Sequence, residues 1–444
     1  MNIRAFYLRN LFWLNDIMTG GRIRKQYDEI RYLNEHSFEK GDVLRRKAFA
    51  NLVAHAKSHT AFYRNSNFEY LRDFPVMNKA LYIEKYDQIK VPESCIPWQE
   101  GPMLIQKTSG STGTPFAVPQ DTRKRNRRIA ELKYYGKIVG FDSHEKLIQL
   151  RAWNKYQFKT KNQANKENIV PFDISKMSDE DLSRLFSLIY SENAICIRSY
   201  ATSFRLIADY ARRHQETCAK KNHLRISIAG SEMLEDDIRP LVKKYLGCDI
   251  ISQYADEECG ILAQEKIPTQ DSNNLFYLNH ASYIFEILKF DSNEPAEFGE
   301  LGRIVITDLY NYAFPIIRYD TGDIGKFEKP NEYSNGYPVL AKLYGRRYDL
   351  IYTTDCSPIH PITFGRELKH YSEIVQWQFI QKAEKEYILN VQLRANKLDE
   401  EDVINQLKNI VGSDSEIAIN YVDDIPVLSS GKRKPVVNEW KNGK

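Results

Sequence analysis

Between residues 190 and 310, strand signals and helix signals take turns. This alternation limits the fold more than any other feature of the chain. Residues 194–197 read as a strand, and 202–213 as a helix capped by Thr202. Residues 226–229 read as a strand ending at Gly230, and 249–253 as another that runs into an acidic turn. Residues 302–307 read as a short buried strand, and the series predicts an α/β body. The tail follows another rule. Val375, Trp377 and Phe379 alternate, as do Tyr387, Leu389, Val391 and Leu393. Val403, Leu407 and Ile410 then keep a helical period, and Ile417, Ile419 and Tyr421 alternate again. That β-β-α-β pattern predicts a small α+β domain. The change falls near the pair Gly345 and Arg346, so the expected division is 1–344 and 345–444. A chain of 444 residues, 42% hydrophobic and 27% charged, has room for both cores.

The first residues include Ile3, Phe6, Leu8, Leu11, Phe12, Trp13 and Leu14, with Arg4 and Arg9 among them. The stretch is too short and too charged for a membrane span, and it lacks a cleavage site of small residues. It offers an amphipathic helix, either packed on the body or in peripheral contact with a membrane. Leu44, Ala48, Leu52 and Ala56 share a helix face. Asp121 or Thr122 can cap a helix that runs through Arg123 to Arg128 toward Gly136. That basic run reads as a solvated face, or else as a landing patch for a phosphorylated acceptor. Residues 155–168, rich in Lys and Asn, read as a mobile loop. A net charge of +4 gives no argument for nucleic acid, and no aromatic residues interleave the basic run. The six cysteines lack C-x-x-C spacing, which points to reduced, mostly buried thiols in the cytoplasm and away from zinc. His55, His223, His280 and His360 have no triad partners in sequence.

Residues 108–115 read Thr-Ser-Gly-Ser-Thr-Gly-Thr-Pro. Exposed N–H groups, hydroxyls and close backbone approach at glycine suit a phosphate. The loop departs from the Walker A pattern, because Gly110 and Gly113 are too close and Thr114 stands where a Lys is expected. Four further clusters follow: Gly230-Ser231-Glu232, Tyr254-Ala255-Asp256-Glu257-Glu258, Tyr319-Asp320-Thr321-Gly322-Asp323 and Gly345-Arg346-Arg347-Tyr348-Asp349. Lys432 sits near the end in Ser-Ser-Gly-Lys. Loops at the C-terminal ends of sheet strands are where α/β folds bind ligands.

In this order the motifs resemble the adenylate-forming superfamily of acyl- and aryl-CoA ligases. Within it they resemble the phenylacetate–CoA ligase-like CapK proteins of capsule and polysaccharide loci. Leu52 to Arg64 and the run Phe74-Pro75-Val76-Met77-Asn78-Lys79 resemble the N-terminal signature of that branch. The resemblance implies a large N-terminal domain and a small mobile C-terminal lid domain. It implies that Thr108, Ser109, Ser111 and Thr112, with Gly110 and Gly113, hold the ATP phosphates. Glu258 would ligate Mg²⁺, a hard cation that prefers carboxylate oxygen. Gly230, Ser231 and Glu232 would border adenine, with Tyr254 against its face. Asp323 would accept from the ribose hydroxyls, and Arg346 would place charge near the ribose or α-phosphate. Lys432 would neutralise the α-phosphate during adenylation.

The implied reaction is ATP-dependent activation of a carboxylic acid as its acyl-adenylate, with release of pyrophosphate. Acyl transfer would follow, to CoA or to an amine or hydroxyl acceptor, including one on a sugar. The alternative is an inactive nucleotide-binding scaffold, motivated by Thr114, Ala255 and Tyr348, which depart from the family pattern. The acid pocket is expected between Trp153, Arg198-Ser199-Tyr200 and Ala229-Gly230. Arg198 would meet either a second carboxylate on the substrate or a structural ion-pair partner. Sequence names neither the acid, the acceptor nor the oligomeric state.

Overall fold

The computed structural model describes residues 2–64, 67–107, 116–151, 159–174, 177–218, 222–267, 274–346, 351–356, 358–359, 361–368, 370–394, 398–425 and 435–440. The chain forms two compact units, Met1–Thr321 with Gly325–Leu343, and Gly322–Ile324 with Tyr344–Lys444.

The larger unit is built on an eleven-stranded sheet. Five neighbouring strands run parallel: Asp249–Asp256, Ile226–Gly230, Cys196–Tyr200, Leu147–Arg151 and Ile169–Asp173. Ile148, Ile197, Phe186 and Phe204 form one core against this region, where strands alternate with the helices Asp179–Ser191, Ala201–His214 and Ile238–Leu246. The sheet continues antiparallel from Asp249–Asp256 into Gly260–Glu265, where a second core gathers Leu262, Ala263, Ile304 and Ile306 with Phe116 and Phe314. The smaller unit holds a four-stranded sheet in the order Glu416–Tyr421, Glu386–Leu393, Ile374–Gln381 and Val436–Asn438. The helix Glu400–Val411 adds Val403 and Leu407 to its core. Gly412 closes that helix at φ 126°, and a Cβ there would lie 2.1 Å from Thr354 Oγ1, so only glycine fits.

Several expectations need correction. Thr202 is not a cap: the helix begins at Ala201 with Tyr200 at its N-cap, and the Thr202 hydroxyl donates to Glu232. The stretch expected as a mobile loop contains the helix Lys161–Glu167, opened by a Thr160–Gln163 capping box. Leu44 is exposed, although Leu52 and Ala56 of the same helix are buried. The basic run is only in part a solvated face: Arg125 is exposed, but its neighbours turn inward. Asp121 caps the helix Thr122–Ile138 through the Lys124 N–H at 2.9 Å, and Lys124 and Arg127 are fully buried. Arg127 donates to Ser282 Oγ at 2.9 Å and pairs with Glu29 at 3.0 Å. Its guanidinium also lies 3.7 Å from the Tyr310 ring centroid. Among the described residues no helix is long and apolar enough to cross a membrane.

Candidate active site

The acidic turn follows the strand Asp249–Asp256 at the C-terminal edge of the parallel strands. Its backbone is held at every carbonyl from 257 to 259. Arg128 donates to the Glu257 carbonyl at 3.1 Å, and Gln120 to that of Glu258 at 3.0 Å. The Tyr283 hydroxyl donates to the Cys259 carbonyl at 2.8 Å. Asp256 closes the turn, its Oδ1 accepting from the N–H groups of Cys259 at 2.7 Å and Gly260 at 3.0 Å. Behind Tyr283 stands a buried ion pair. Lys124 Nζ lies 2.6 Å from Asp308 and 3.0 Å from the Tyr283 hydroxyl. The basic helix therefore supports the acidic turn.

Glu258 is buried and accepts from the Tyr319 hydroxyl at 3.4 Å. Burial, and then the charge of Glu258, hold the Asp256 carboxyl well above the usual carboxylate range. Asp256 Oδ2 is buried with no hydrogen-bond partner among the described residues. A hard cation fits this chemistry, because it would take carboxylate oxygen and relieve two neighbouring acids. Tyr319 is fixed in turn by the Pro75–Lys79 segment. Met77 N–H donates to the Arg318 carbonyl at 3.0 Å, and Asp320 N–H to the Met77 carbonyl at 2.9 Å.

The next strand of the sheet carries the second cluster. Gly230 pairs in register with Gln253 and with Tyr200. Ser231 follows at φ 66°, a left-handed conformation uncommon for a non-glycine residue. Glu232 turns back over Ala201–His214 and accepts from the Thr202 N–H at 3.0 Å and its hydroxyl at 2.7 Å. Tyr254 is buried, its hydroxyl 3.4 Å from Thr321 Oγ1. Asp323 lies in the strand Tyr319–Glu328 just after Gly322, whose φ is 80°. Arg346 ends the strand Val339–Arg346. Gly230, Ser231, Glu232, Tyr254 and Glu258 thus gather at one edge of the parallel strands of the larger unit. Thr108 to Gly113, Thr114, Trp153, Tyr348 and Lys432 lie outside the described residues; the flanking strands Leu104–Lys107 and Ala117–Gln120 pair antiparallel.

Arg198 bears on one open alternative. It pairs in register with Gln149 and Ile228, on the same strand face as Tyr200. No carboxylate lies within ion-pair distance of it among the described residues, and its Nε is buried without a partner. Burial holds its pKa below the usual guanidinium value. A structural ion pair is therefore absent among the described residues.

The supporting side chains Gln120 and Tyr283 were not singled out from sequence, and Arg128 only as the end of the basic run. The signal that reveals part of the set is spacing: Lys124, Arg127, Arg128 and Glu131 follow i, i+3, i+4, i+7, a single helix face.

Residues 351–439 match the CapK C-terminal domain family. Protein CapK of Staphylococcus aureus is 21% identical over 440 residues, covering 94% of this chain and 92% of that protein. Phenylacetate-coenzyme A ligase of Pseudomonas putida is 25% identical over 210 residues, 45% of each chain. Among solved structures, 2-hydroxyisobutyryl-CoA ligase in the postadenylation state with 2-HIB-AMP superposes with a TM-score of 0.70, at 15% identity and 90% coverage of each chain. ATP-bound MatB from Rhodopseudomonas palustris gives 0.54 at 16% identity, covering 74% of this chain and 66% of that one. The chain has the fold of the adenylate-forming ligases and resembles CapK over nearly its whole length.

Proposed function

We propose that this protein activates a carboxylic acid with ATP as an acyl-adenylate, releasing pyrophosphate. The carrying observation is Glu258, held on a fully braced turn beside Gly230-Ser231-Glu232, in a fold shared with a ligase solved with its acyl-adenylate. The substrate carboxylate attacks the α-phosphorus, and the protein contributes position and charge neutralisation. Glu258 holds Mg²⁺, which offsets phosphate charge when bound. Thr108, Ser109, Gly110, Ser111, Thr112 and Gly113 cradle the phosphates, and Lys432 meets the α-phosphate. Gly230, Ser231, Glu232, Tyr254, Asp323 and Arg346 take the nucleoside, and the tail from 345 serves as the lid. The acyl group then passes to CoA or to an amine or hydroxyl acceptor, and the CapK resemblance favours surface polysaccharide synthesis in the cytoplasm. The expected result is acid-dependent pyrophosphate release from MgATP across a panel of carboxylic acids. ATP binding without release for any acid would favour the inactive scaffold suggested by Ala255 in the acidic turn.

The acid carries a second anionic group, and the support is Arg198. A partly buried guanidinium with no ion-pair partner among the described residues is costly unless a ligand completes it. Arg198→Met keeps the volume and removes that charge. The unliganded variant should therefore melt higher than the wild type. The same variant should lose the preference for dicarboxylic over monocarboxylic acids in pyrophosphate release. A lower melting temperature, with acid preference unchanged, would make Arg198 a structural residue.

A further inference from the structure

The helix Ile3–Met18 leaves most of its large apolar residues on its outer side. It turns Ala5 and Asp16 to the body, and Asp16 caps the next helix by accepting from the N–H groups of Ile23 and Arg24, each at 2.9 Å. Leu8, Phe12 and Trp13 are half-buried, whereas Ile3, Tyr7, Leu11, Leu14, Ile17 and Met18 face outward, 48–80% exposed. At about 100° per residue these positions form one stripe. The helix has one acid, Asp16, and it is buried, so the outer face carries no negative charge.

A cation-lined cavity of about 240 Å³ opens beside this stripe, lined in part by Arg9, Arg24, Arg31, Lys133, Lys137 and Asp142. Asn10 and Trp13 of the helix also line it. They share one row with the exposed Phe6 and with Ile17, at spacings of four, three and four. Cavity and stripe are therefore neighbours on the same flank. Asp142 is the cavity's one acid, and it pairs with Arg9 at 2.5 Å. Arg24, Lys133 and Lys137 have no carboxylate within 4.0 Å among the described residues. Arg24 stacks 4.0 Å from the Trp13 ring centroid, and Lys133 sits 3.7 Å from that of Phe12.

We propose that the helix Ile3–Met18 docks the protein on an anionic phospholipid surface, with the apolar stripe in the interface and lipid phosphate at the cation-lined cavity. Apolar area plus cations on one flank is the combination that holds interfacial helices at anionic bilayers. Each cation near such a leaflet changes partitioning about fivefold. A second copy of this chain is disfavoured as occupant, because a two-fold contact through the stripe would bring two cation-lined cavities together. The inference stands whether or not the protein forms acyl-adenylates.

The test is sedimentation of the full chain with vesicles of phosphatidylcholine alone, or with phosphatidylglycerol at about one lipid in four. Binding should rise at least about tenfold with the anionic lipid and fall in high salt. The double variant Leu11→Glu, Leu14→Glu changes exposed positions only, so its melting temperature should hold. Its binding should drop about tenfold or more. Lys137→Gln should weaken binding to anionic vesicles about fivefold and leave pure phosphatidylcholine unchanged. Equal binding to both vesicle types, or none to either, would overturn the proposal. So would a dimer in solution that the double variant converts to monomer, or inorganic phosphate raising the melting temperature without any vesicle binding.

Discussion

Replacing Glu258 by Gln should lower acid-dependent pyrophosphate release by about 10²- to 10³-fold, the usual effect of removing one preorganised charged group from a reaction centre. The carboxamide has the same size and can still accept from Tyr319, so the turn keeps its shape. What disappears is the negative charge that the proposed Mg²⁺ requires. Two further readouts separate this role from a structural one. Excess Mn²⁺ should restore part of the rate, because a softer, tighter-binding cation tolerates a weaker ligand set. The unliganded variant should also be at least as stable as wild type. Glu258 and Asp256 are neighbouring acids, and removing one charge relieves the other carboxyl, which burial already disfavours as an anion. Glu257→Gln should change the rate little, because Glu257 is half-exposed and occupied with Arg151 at 3.3 Å. Normal release by Glu258→Gln at low Mg²⁺ would move the metal to Asp256 or Glu257.

The elements that sequence revealed are those whose periodicity is imposed by a core on one side. The tail strands Ile374–Gln381 and Glu386–Leu393 alternate because Phe379, Tyr387, Leu389 and Val391 must all enter one core. The cap was legible as Asp121 or Thr122 because its chemistry is local, and Asp121 proves to be the one, a carboxylate three residues before the N–H that it accepts from. The site was legible only as far as its motifs are contiguous. Tyr254 to Glu258 and Gly230 to Glu232 stand out in the chain, and the sheet register brings them together. What holds them was hidden. Arg128 and Gln120 reach residues 129 and 138 positions away, and a charged residue in a sequence does not disclose whether its partner is water or a buried carbonyl. Thr202 was misread for the same reason. A threonine at a helix start usually caps it, but here Glu232 from another loop takes the hydroxyl. The helix Lys161–Glu167 was missed because six of its seven residues are polar and Ala164 alone makes no apolar stripe, although Thr160 and Gln163 spell a capping box.

Lys124→Met should destabilise the larger unit by about 3–5 kcal/mol, the cost of leaving one partner of a buried ion pair without its opposite charge. Lys124 and Asp308 are both completely inaccessible and 2.6 Å apart. Glu131, also fully buried, has its carboxyl pushed up first by burial, while the Lys124 charge pulls it back down. Methionine fills nearly the same volume, so the loss comes from charge and not from a cavity. The double variant Lys124→Met, Asp308→Leu should recover most of the loss, because desolvating two charges costs about as much as their attraction returns. The measurement is urea unfolding of wild type, both single variants and the double variant, so that the coupling is read from a cycle. A single variant within about 1 kcal/mol of wild type, or a double variant no better than the single, would show that Asp308 does not depend on Lys124. The effect should also reach the reaction. Lys124 donates to the Tyr283 hydroxyl, and Tyr283 donates to the carbonyl of Cys259, the residue after Glu258. Losing the ammonium frees the tyrosine to rotate and releases one of the three braces on the turn. The apparent affinity for MgATP should therefore fall even at temperatures where the variant is fully folded, while Arg125→Met, on the exposed side of the same helix, should change neither stability nor affinity.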